Sequence, residues 1–600
     1  MPNVNYKLIN EGPSQSIKGF QFTLRSSDIT SGSLATAGAK TITLRRAPLG
    51  ISGSNVQHYI YISGGVGTAE AVLITGGTCT SGNLGGTLTF TTVNTHTGDW
   101  KITSSTDGMQ EWFYGATAPL NGFIPDAGLV FYAKCTLYGR LGATVQITGG
   151  GDPASRVRRH SSYPSGDLIL YNSTLGNGQL IMKNFSVLNA NGFDNPSGAG
   201  IHLIVNQPFE ALLRDITVYN GVNPIVVDPQ VAGTVSSGVI FDNVYVSIQG
   251  AYSSVYTTGH GITLNTHAAY ILNTRSSRDT PTATGGSGLK IIRADGIVIT
   301  GGAYNGTYGI EIENNSAYIM NFIYASNVIF DACYSHGFYV APGAHNVVFS
   351  QFKIENCHFA TQSGSATASA IYFGNDVESV AIIGNNISGQ YGSGITLGVT
   401  DKAPRSVTVA GNNINNCGLG GTGYGIVLPA TGSGGSGSYE ARTTITGNVI
   451  GNNITFYGAA TQQVGIYLAG ATGKFRGYNI TGNDVRGNVT APIFKDPTPT
   501  MENVIISANS GVDDLFTVIA SASLSAAGAT GVLRNIEVSG TTNVTSLTPV
   551  WDGRQITIVK TDAGTVNFTA AGNIAAAVSI AQYGRLDFIY YVALGKWIGK

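Results

Sequence analysis

The sequence predicts an all-β chain: a right-handed parallel β-helix flanked by a small N-terminal β-domain and a C-terminal β-sandwich. Three observations carry that prediction. Only 11% of the 600 residues are charged and 82 are glycine, against roughly 25% charged and 7% glycine in an ordinary soluble domain. Short apolar–polar alternations recur throughout, with no helical period. The middle of the chain also repeats itself at a variable step of roughly 20–40 residues, the mark of a solenoid.

Residues 1–112 contain alternating strands (FQFTL, KTITL, YIYI, AVLI, TLTF) between Gly/Ser/Thr turns, and are read as a separate β-domain whose strands fit virion attachment or a carbohydrate module alike. Residues 113–510 are read as the β-helix. Its first coil is GLVFYAKCTLYGRLGATVQITGGG (128–151), followed by DLILYN, QLIMKNFSVLNANG, GIHLIV, LLRDITVYNG and GVIFDNVYVSI. From residue 260 a phrase becomes regular: Gly, then apolar–any–apolar. It appears as HGITL, SGLKI, YGIEI, HGFYV, SAIYF, SGITL, YGIVL and VGIYL, with APIFK as a frayed last copy. A second phrase interleaves with it: IIGNNI, VAGNNI, ITGNVI and ITGNDV. With coils stacked about 4.8 Å apart, Asn385, Asn412, Asn448 and Asn483 are expected to form an amide ladder. Cys333 and Cys357 are aligned with that ladder position and read as small buried residues. Beyond the Pro-rich KDPTPTMEN (495–503), coil phrasing stops. Residues 511–600 (GVLRNIEVSG, GRQITIVKT, GTVNFTAAGN, GRLDFIYYVALGKWIG) read as an antiparallel β-sandwich.

Composition excludes several classes. Net charge is −1 with no basic tail, so neither nucleic acid nor an anionic membrane is indicated as a partner. The uncharged run LFTVIASASLSAAGATGVL is too rich in Ser, Ala, Thr and Gly for a spanning helix, so no membrane insertion is expected. Five scattered cysteines make no disulfide framework and no CxxC site; no metal and no cofactor are indicated. The opening MPNVNYKLINEGPSQ lacks the basic and apolar regions of a secretory signal, so synthesis in the cytoplasm with reduced thiols is expected. GGVG at 64–67 opens no helix and is a turn rather than a phosphate loop.

The coil phrases, the VFYAKCTLYG…VQITGGG coil and above all the C-terminal SLTPVWDGRQITIV…GKW give the chain its resemblance. It resembles bacteriophage tailspikes and receptor-binding proteins of the pectate-lyase-like β-helix superfamily. The resemblance implies a homotrimer in the virion tail, attached to the baseplate or tail through the N-terminal domain. Its implied partner is a bacterial surface polysaccharide, which such proteins bind and often cleave. The absent signal agrees, since virion proteins leave by lysis.

On a solenoid, ligand groups are the outward residues of stacked strands. The Gly phrase predicts an outward stripe of Thr263, Lys290, Glu311, Tyr339, Tyr372, Thr396, Val427 and Tyr467. Lys290, Tyr339 and Tyr372 suit a sugar, with ring faces against pyranose C–H surfaces and charge on hydroxyls. The same stripe also fits a solvated sheet face or a subunit interface. Carboxylates are scarce, so their clusters count. Glu311 and Glu313 share a strand face at roughly 6–7 Å, and Asp331 is aligned with Glu355 across one coil step at roughly 5 Å. Glycoside hydrolysis needs one carboxylic acid and a second carboxylate as nucleophile or base at such separations, and stacked like charges raise one pKa. These four are the catalytic candidates, against a bland role in surface salt bridges. Asp376 and Glu378 are weaker ones. TTGHGITL invites a polygalacturonase comparison, but His260 fills a slot occupied elsewhere by Tyr308, His336, Ser393, Tyr424 and Val464, and the accompanying aspartate pairs are missing. A lyase would use Arg275, Arg278 and Asp279. The expected function is therefore a polysaccharide-binding tailspike that depolymerises by hydrolysis; a non-enzymatic adhesin or structural tail protein and a stand-alone lyase remain alternatives.

Overall fold

The computed structural model describes residues 14–600 except 56, 117–119, 140–142, 174–177, 190–197, 208, 230–237, 250–258, 280, 282–284, 314–319, 343–348, 361–363, 365–366, 375–376, 399–404, 431–440, 454–458, 497, 513–514, 521–522, 525–534 and 548–553. The chain is nearly all β and contains a parallel solenoid of about 11 turns with a separate antiparallel sheet at the N-terminus. It forms two compact units, Met1–Gly306 and Thr307–Lys600.

In the first unit a seven-stranded sheet runs in the order Thr23–Arg25, Thr97–Ser104, Tyr59–Val66, Glu70–Gly76, Gly86–Thr92, Gly38–Leu44 and Ile29–Ser31. Alternation puts Ile42, Leu44, Ile60, Ile62, Leu88, Phe90 and Ile102 on one buried face. A short helix, Met109–Gly115, follows it and buries Trp112 completely. Buried Glu111 on that helix is matched by His58 Nε2 at 2.9 Å and the Ser104 hydroxyl at 2.6 Å, as a buried carboxylate requires. The coils begin at Leu120–Ile124, one strand before the expected first coil, and Gln15–Ser16 pairs in parallel with that strand. The strands from Leu120 to Tyr304 stack coil on coil in parallel.

In the second unit one stack comprises Tyr308–Ile312, His336–Val340, Ser369–Phe373, Ser393–Leu397, Gly423–Pro429, Gln462–Ala469 and Ala491–Lys495. A second comprises Met320–Ser326, Phe349–Glu355, Val377–Ile383, Arg405–Ala410, Thr443–Thr446, Tyr478–Thr481 and Ile505–Ser507. The recurring Gly has a steric cause. A Cβ on Gly394 would lie 2.6 Å from the Gly425 carbonyl oxygen, and one on Gly425 would lie 2.5 Å from that of Gly465, so the next coil leaves room only for hydrogen.

The asparagine ladder forms as expected and extends by one rung. Side-chain amides donate from Asn385 to Asn412, Asn412 to Asn448 and Asn448 to Asn483 at 2.8 Å, and from Asn483 to Asn509 at 2.9 Å. The preceding residues Gly384, Gly411, Gly447 and Gly482 have φ of 63–68°, a left-handed turn that glycine adopts without strain. Cys357 holds the ladder position one coil earlier, its N–H donating to Asn385 Oδ1 at 2.9 Å. Cys333 does not. Phe330 pairs with Phe359, which puts Val328 at the ladder level and Cys333 beside Gly309 instead. Left-handed Asn327 and Asn356 (φ 56° and 52°) mark the true register; matching the two cysteines displaces it by five residues. All five cysteines are buried and none forms a disulfide.

The C-terminal region packs around Ile536, Val538, Ile558, Phe568, Phe588 and Trp597, but its main sheet is mixed rather than antiparallel. Leu515–Ile519, Asn535–Ser539 and Gln555–Lys560 pair in parallel, and Arg585–Tyr591 and Lys596–Gly599 add antiparallel. The long connections after Ile519 and Ser539 permit crossovers, which hairpin-like alternation in the sequence does not reveal.

Candidate functional site

The stripe pairs in register in both units, although Thr136, Leu170 and the predicted outward Thr263 are buried. In the first, Thr136, Leu170, His202, Val226, Thr263 and Lys290 pair in succession. In the second, the succession is Glu311, Tyr339, Tyr372, Thr396, Val427, Tyr467 and Phe494. Each pairs in parallel with its neighbour, so within each unit identical positions in the Gly phrase are carried onto one ridge by the register alone.

The tyrosines of the second unit differ from expectation in how their rings are used. Tyr339 lies 4.1 Å from the Tyr308 ring with only 7° between planes, and 5.5 Å from Tyr372. His336 joins the slab, 4.9 Å from Tyr339 and 4.6 Å from Tyr372. Parallel strands about 4.8 Å apart stack rings on one another, so their faces are spent on neighbours. What remains for a ligand is ring edges and phenol oxygens. Burial, then Glu311, raises the Tyr308 hydroxyl pKa against a hydrogen bond with Tyr339 that lowers it; burial, then the Tyr308 and Tyr372 phenols and Glu311, raises that of Tyr339, so both stay protonated. Burial lowers the His336 pKa to about 4; its neutral Nδ1 accepts the Ser369 N–H at 2.8 Å. Further along, the Tyr467 hydroxyl donates to both carboxylate oxygens of Asp496 at 2.8 and 2.9 Å.

The four carboxylate candidates do not converge. Glu311, on Tyr308–Ile312, is half-buried beside the aromatic slab, and Glu313, directly after that strand, is half-buried too. Glu355 ends Phe349–Glu355 in the other stack, opposite Ser326 and Ile383, and is held by Lys353 at 2.7 Å. Asp331 is exposed, past the Ile329–Phe330 strand. The expected Asp331–Glu355 stacking is therefore absent, because the register follows the left-handed Asn327 and Asn356 rather than the cysteines. Glu378 opposes Ser350 and Arg405; Asp376 lies outside the described residues.

His260 is neutral and takes the Ser287 N–H at 3.1 Å, with burial, then Lys290 and Arg278, lowering its pKa to about 3. That is the role of a repeat filler. Arg278 is buried and donates to the Gly259 carbonyl at 2.5 Å, while Arg275 on the same strand is exposed. Among the described residues no group of three or more His, Cys, Asp or Glu side chains is placed to hold a metal ion, and no helix is long and apolar enough to cross a membrane.

The first unit adds a charged constellation that sequence reasoning missed. On the ridge, His202 Nδ1 meets Asp167 Oδ2 at 2.8 Å and His202 Nε2 meets Asp228 Oδ2 at 3.1 Å. Asp228 also accepts the Asn265 amide at 3.3 Å, and Asn265 opposes Arg293. Burial alone would lower the His202 pKa, but the two carboxylates outweigh it and lift it to about 9. The imidazole is thus a cation near neutrality, and it holds Asp167 below the usual carboxylate range against the effect of burial. The signal was present: GIHLIV is a copy of the Gly phrase with His202 at the outward position.

No family model matches the chain, and no curated protein matches it. Solved structures that match include tailspike protein 3 of bacteriophage CBA120, 13% identical with a TM-score of 0.40, over 78% of this chain and 62% of that one. Another is pre-mature gene product 12 of bacteriophage phi29, 12% identical with a TM-score of 0.38, over 71% and 59%. A third is the catalytic unit of an alpha-1,3-glucanase from Streptomyces thermodiastaticus, 12% identical with a TM-score of 0.34, over 80% and 97%. Likeness at this level carries no inference about activity.

Proposed function

We propose that this chain is a phage tailspike that binds a bacterial surface polysaccharide along its outward ridge and hydrolyses it. The single observation behind this reading is the slab of half-buried Tyr308, Tyr339 and Tyr372 with buried His336, and with Glu311 in register beside it. Ordered phenols and a carboxylate on one ridge offer the donors and acceptors that sugar hydroxyls require. Glu311 and Glu313, two residues apart and so roughly 6.5–7 Å apart by strand rise, suit an acid and a water-activating base in an inverting hydrolysis. Asp331 and Glu355 take no part in this version of the site.

The resemblance of the C-terminal SLTPVWDGRQITIV…GKW phrase to phage tail proteins supports assignment to the virion tail. It also supports assembly as a homotrimer and attachment through the N-terminal domain. Glu311→Gln is the test: binding of host polysaccharide persists while reducing-end release falls at least about 100-fold. Release at the wild-type rate would end the hydrolase assignment. Light scattering of the purified chain should return three times the monomer mass; a monomer would remove the tailspike reading. A second reading, an adhesin that binds without cleaving, is favoured by the separation of Asp331 and Glu355 from the ridge, and no fall in polymer size at saturating protein would establish it.

A further inference from the structure

Within the first unit an open cleft of about 650 Å³ lies between the N-terminal sheet and the first coils. Its volume is in the range of small-ligand sites, about 300–1,000 Å³. Three tyrosines from three different elements line it: Tyr59 from the sheet, Tyr132 from the first coil, and Tyr163 from the turn after Arg156–Arg159. Glu70, Lys134 and Asp167 supply charge.

These groups are locked from behind. Tyr132 stacks on Tyr61 at 4.1 Å and packs against His160 at 4.3 Å. The Arg159 guanidinium lies 4.6 Å from the Tyr163 ring centre, and the Tyr163 hydroxyl donates to the Asp167 carbonyl at 2.6 Å. The Glu70 carboxylate accepts the N–H groups of Val93 and Asn94 at 2.7 and 2.9 Å and meets His96 Nε2 at 2.9 Å. The Asp167 carboxylate accepts the Ala199 N–H at 2.9 Å and meets His202 at 2.8 Å. A wall already ordered in this way loses little side-chain entropy when a ligand arrives.

We infer that this cleft is a second carbohydrate site, distinct from the tyrosine slab of Tyr308, Tyr339 and Tyr372, that takes a neutral di- or trisaccharide. The Glu70 and Asp167 carboxylates of the lining are offset by Lys134 and by the His202 imidazolium held against Asp167, so no strong charge of one sign is presented. Fixed acceptors, one ammonium and aromatic edges instead match the mixed hydroxyl and C–H surface of an uncharged sugar. The inference does not depend on the ridge reading.

The test is titration calorimetry of the full chain with maltotriose, cellotriose, mannotriose and, for contrast, a galacturonate trimer. Ser165 and Val93 are exposed residues of the cleft lining, so Ser165→Trp and Val93→Trp fill the cleft without disturbing the core. At least one neutral trisaccharide is expected to bind, with Kd raised at least about tenfold by either filling variant and unchanged by Tyr339→Ala. Binding of none of the neutral trimers, binding of the galacturonate trimer alone, or binding that survives both filling variants would overturn the inference. Neutral-trimer binding lost only in Tyr339→Ala would also overturn it, and would assign that binding to the ridge. Failure of the ridge reading is seen separately, as unaltered whole-polymer binding in Tyr339→Ala.

Discussion

His202 and Asp167 meet on the outward ridge at 2.8 Å, and the same imidazole reaches Asp228 at 3.1 Å with its other nitrogen. An imidazolium held by two carboxylates gives this part of the first unit a defined pH response. The folded-state pKa of about 9 exceeds the unfolded value of about 6.5. Its stabilisation is therefore complete below about pH 6.5 and is lost as pH rises toward 9. Thermal melts should show a loss of about 2 kcal/mol over that window, allowing for solvent screening, and His202→Gln should flatten it. A wild-type midpoint that stays level from pH 6.5 to 9 would refute the assignment.

Glu355 provides the contrast with Glu311. It is paired with Lys353 in a different strand stack from the tyrosine slab. Glu355→Gln should retain reducing-end release within about twofold of wild type, with stability changed by less than about 1 kcal/mol. A loss comparable to that of Glu311→Gln would move the reacting centre to the other stack.

Tyr339 contributes its hydroxyl and ring edge rather than a free face. Tyr339→Phe preserves the stack with Tyr308 and removes one donor, so binding of the polysaccharide should weaken by about 1 kcal/mol while the melting temperature holds. Unchanged affinity in Tyr339→Phe would mean that the phenol oxygen does not contact the ligand.

Asn448 sits mid-ladder, accepting from the Asn412 N–H and side-chain amide and donating to Asn483. Asn448→Ala leaves the buried Asn412 N–H unpaired, while the Asn412 side-chain amide keeps the Ile382 and Ala410 carbonyls at 2.9 and 3.2 Å; a buried donor left unpaired costs about 1–3 kcal/mol. Urea denaturation should register a loss of about 1–3 kcal/mol. A loss below about 0.5 kcal/mol would mean that the ladder adds little to stability.

Much of this molecule is legible in its sequence. Residues that face a neighbour of the same kind in every coil must solve the same steric problem each time, so Gly394 and Gly425, or Asn412 and Asn448, leave a repeating trace. The outward stripe from Glu311 to Tyr467 followed from that trace without error. Where one coil departs from the phrase, the trace fails: NVIFDAC and FKIENC align by their cysteines in the sequence, but the chain aligns them by the left-handed turns at Asn327 and Asn356.

Local patterning by itself determined the all-β class, the coil repeat, the ladder and the outward positions, because a period-2 strand and a recurrent turn impose their constraints within a few residues. Only the tertiary structure decided what those positions do. It turned the tyrosine rings against one another, parted Glu355 from Asp331, and joined His202 to Asp167 and Asp228 from three separate coils. It also made the C-terminal sheet mixed. Each of these depends on strand register and crossover direction, which arise from contacts between residues tens of positions apart and leave no mark in any short stretch of sequence.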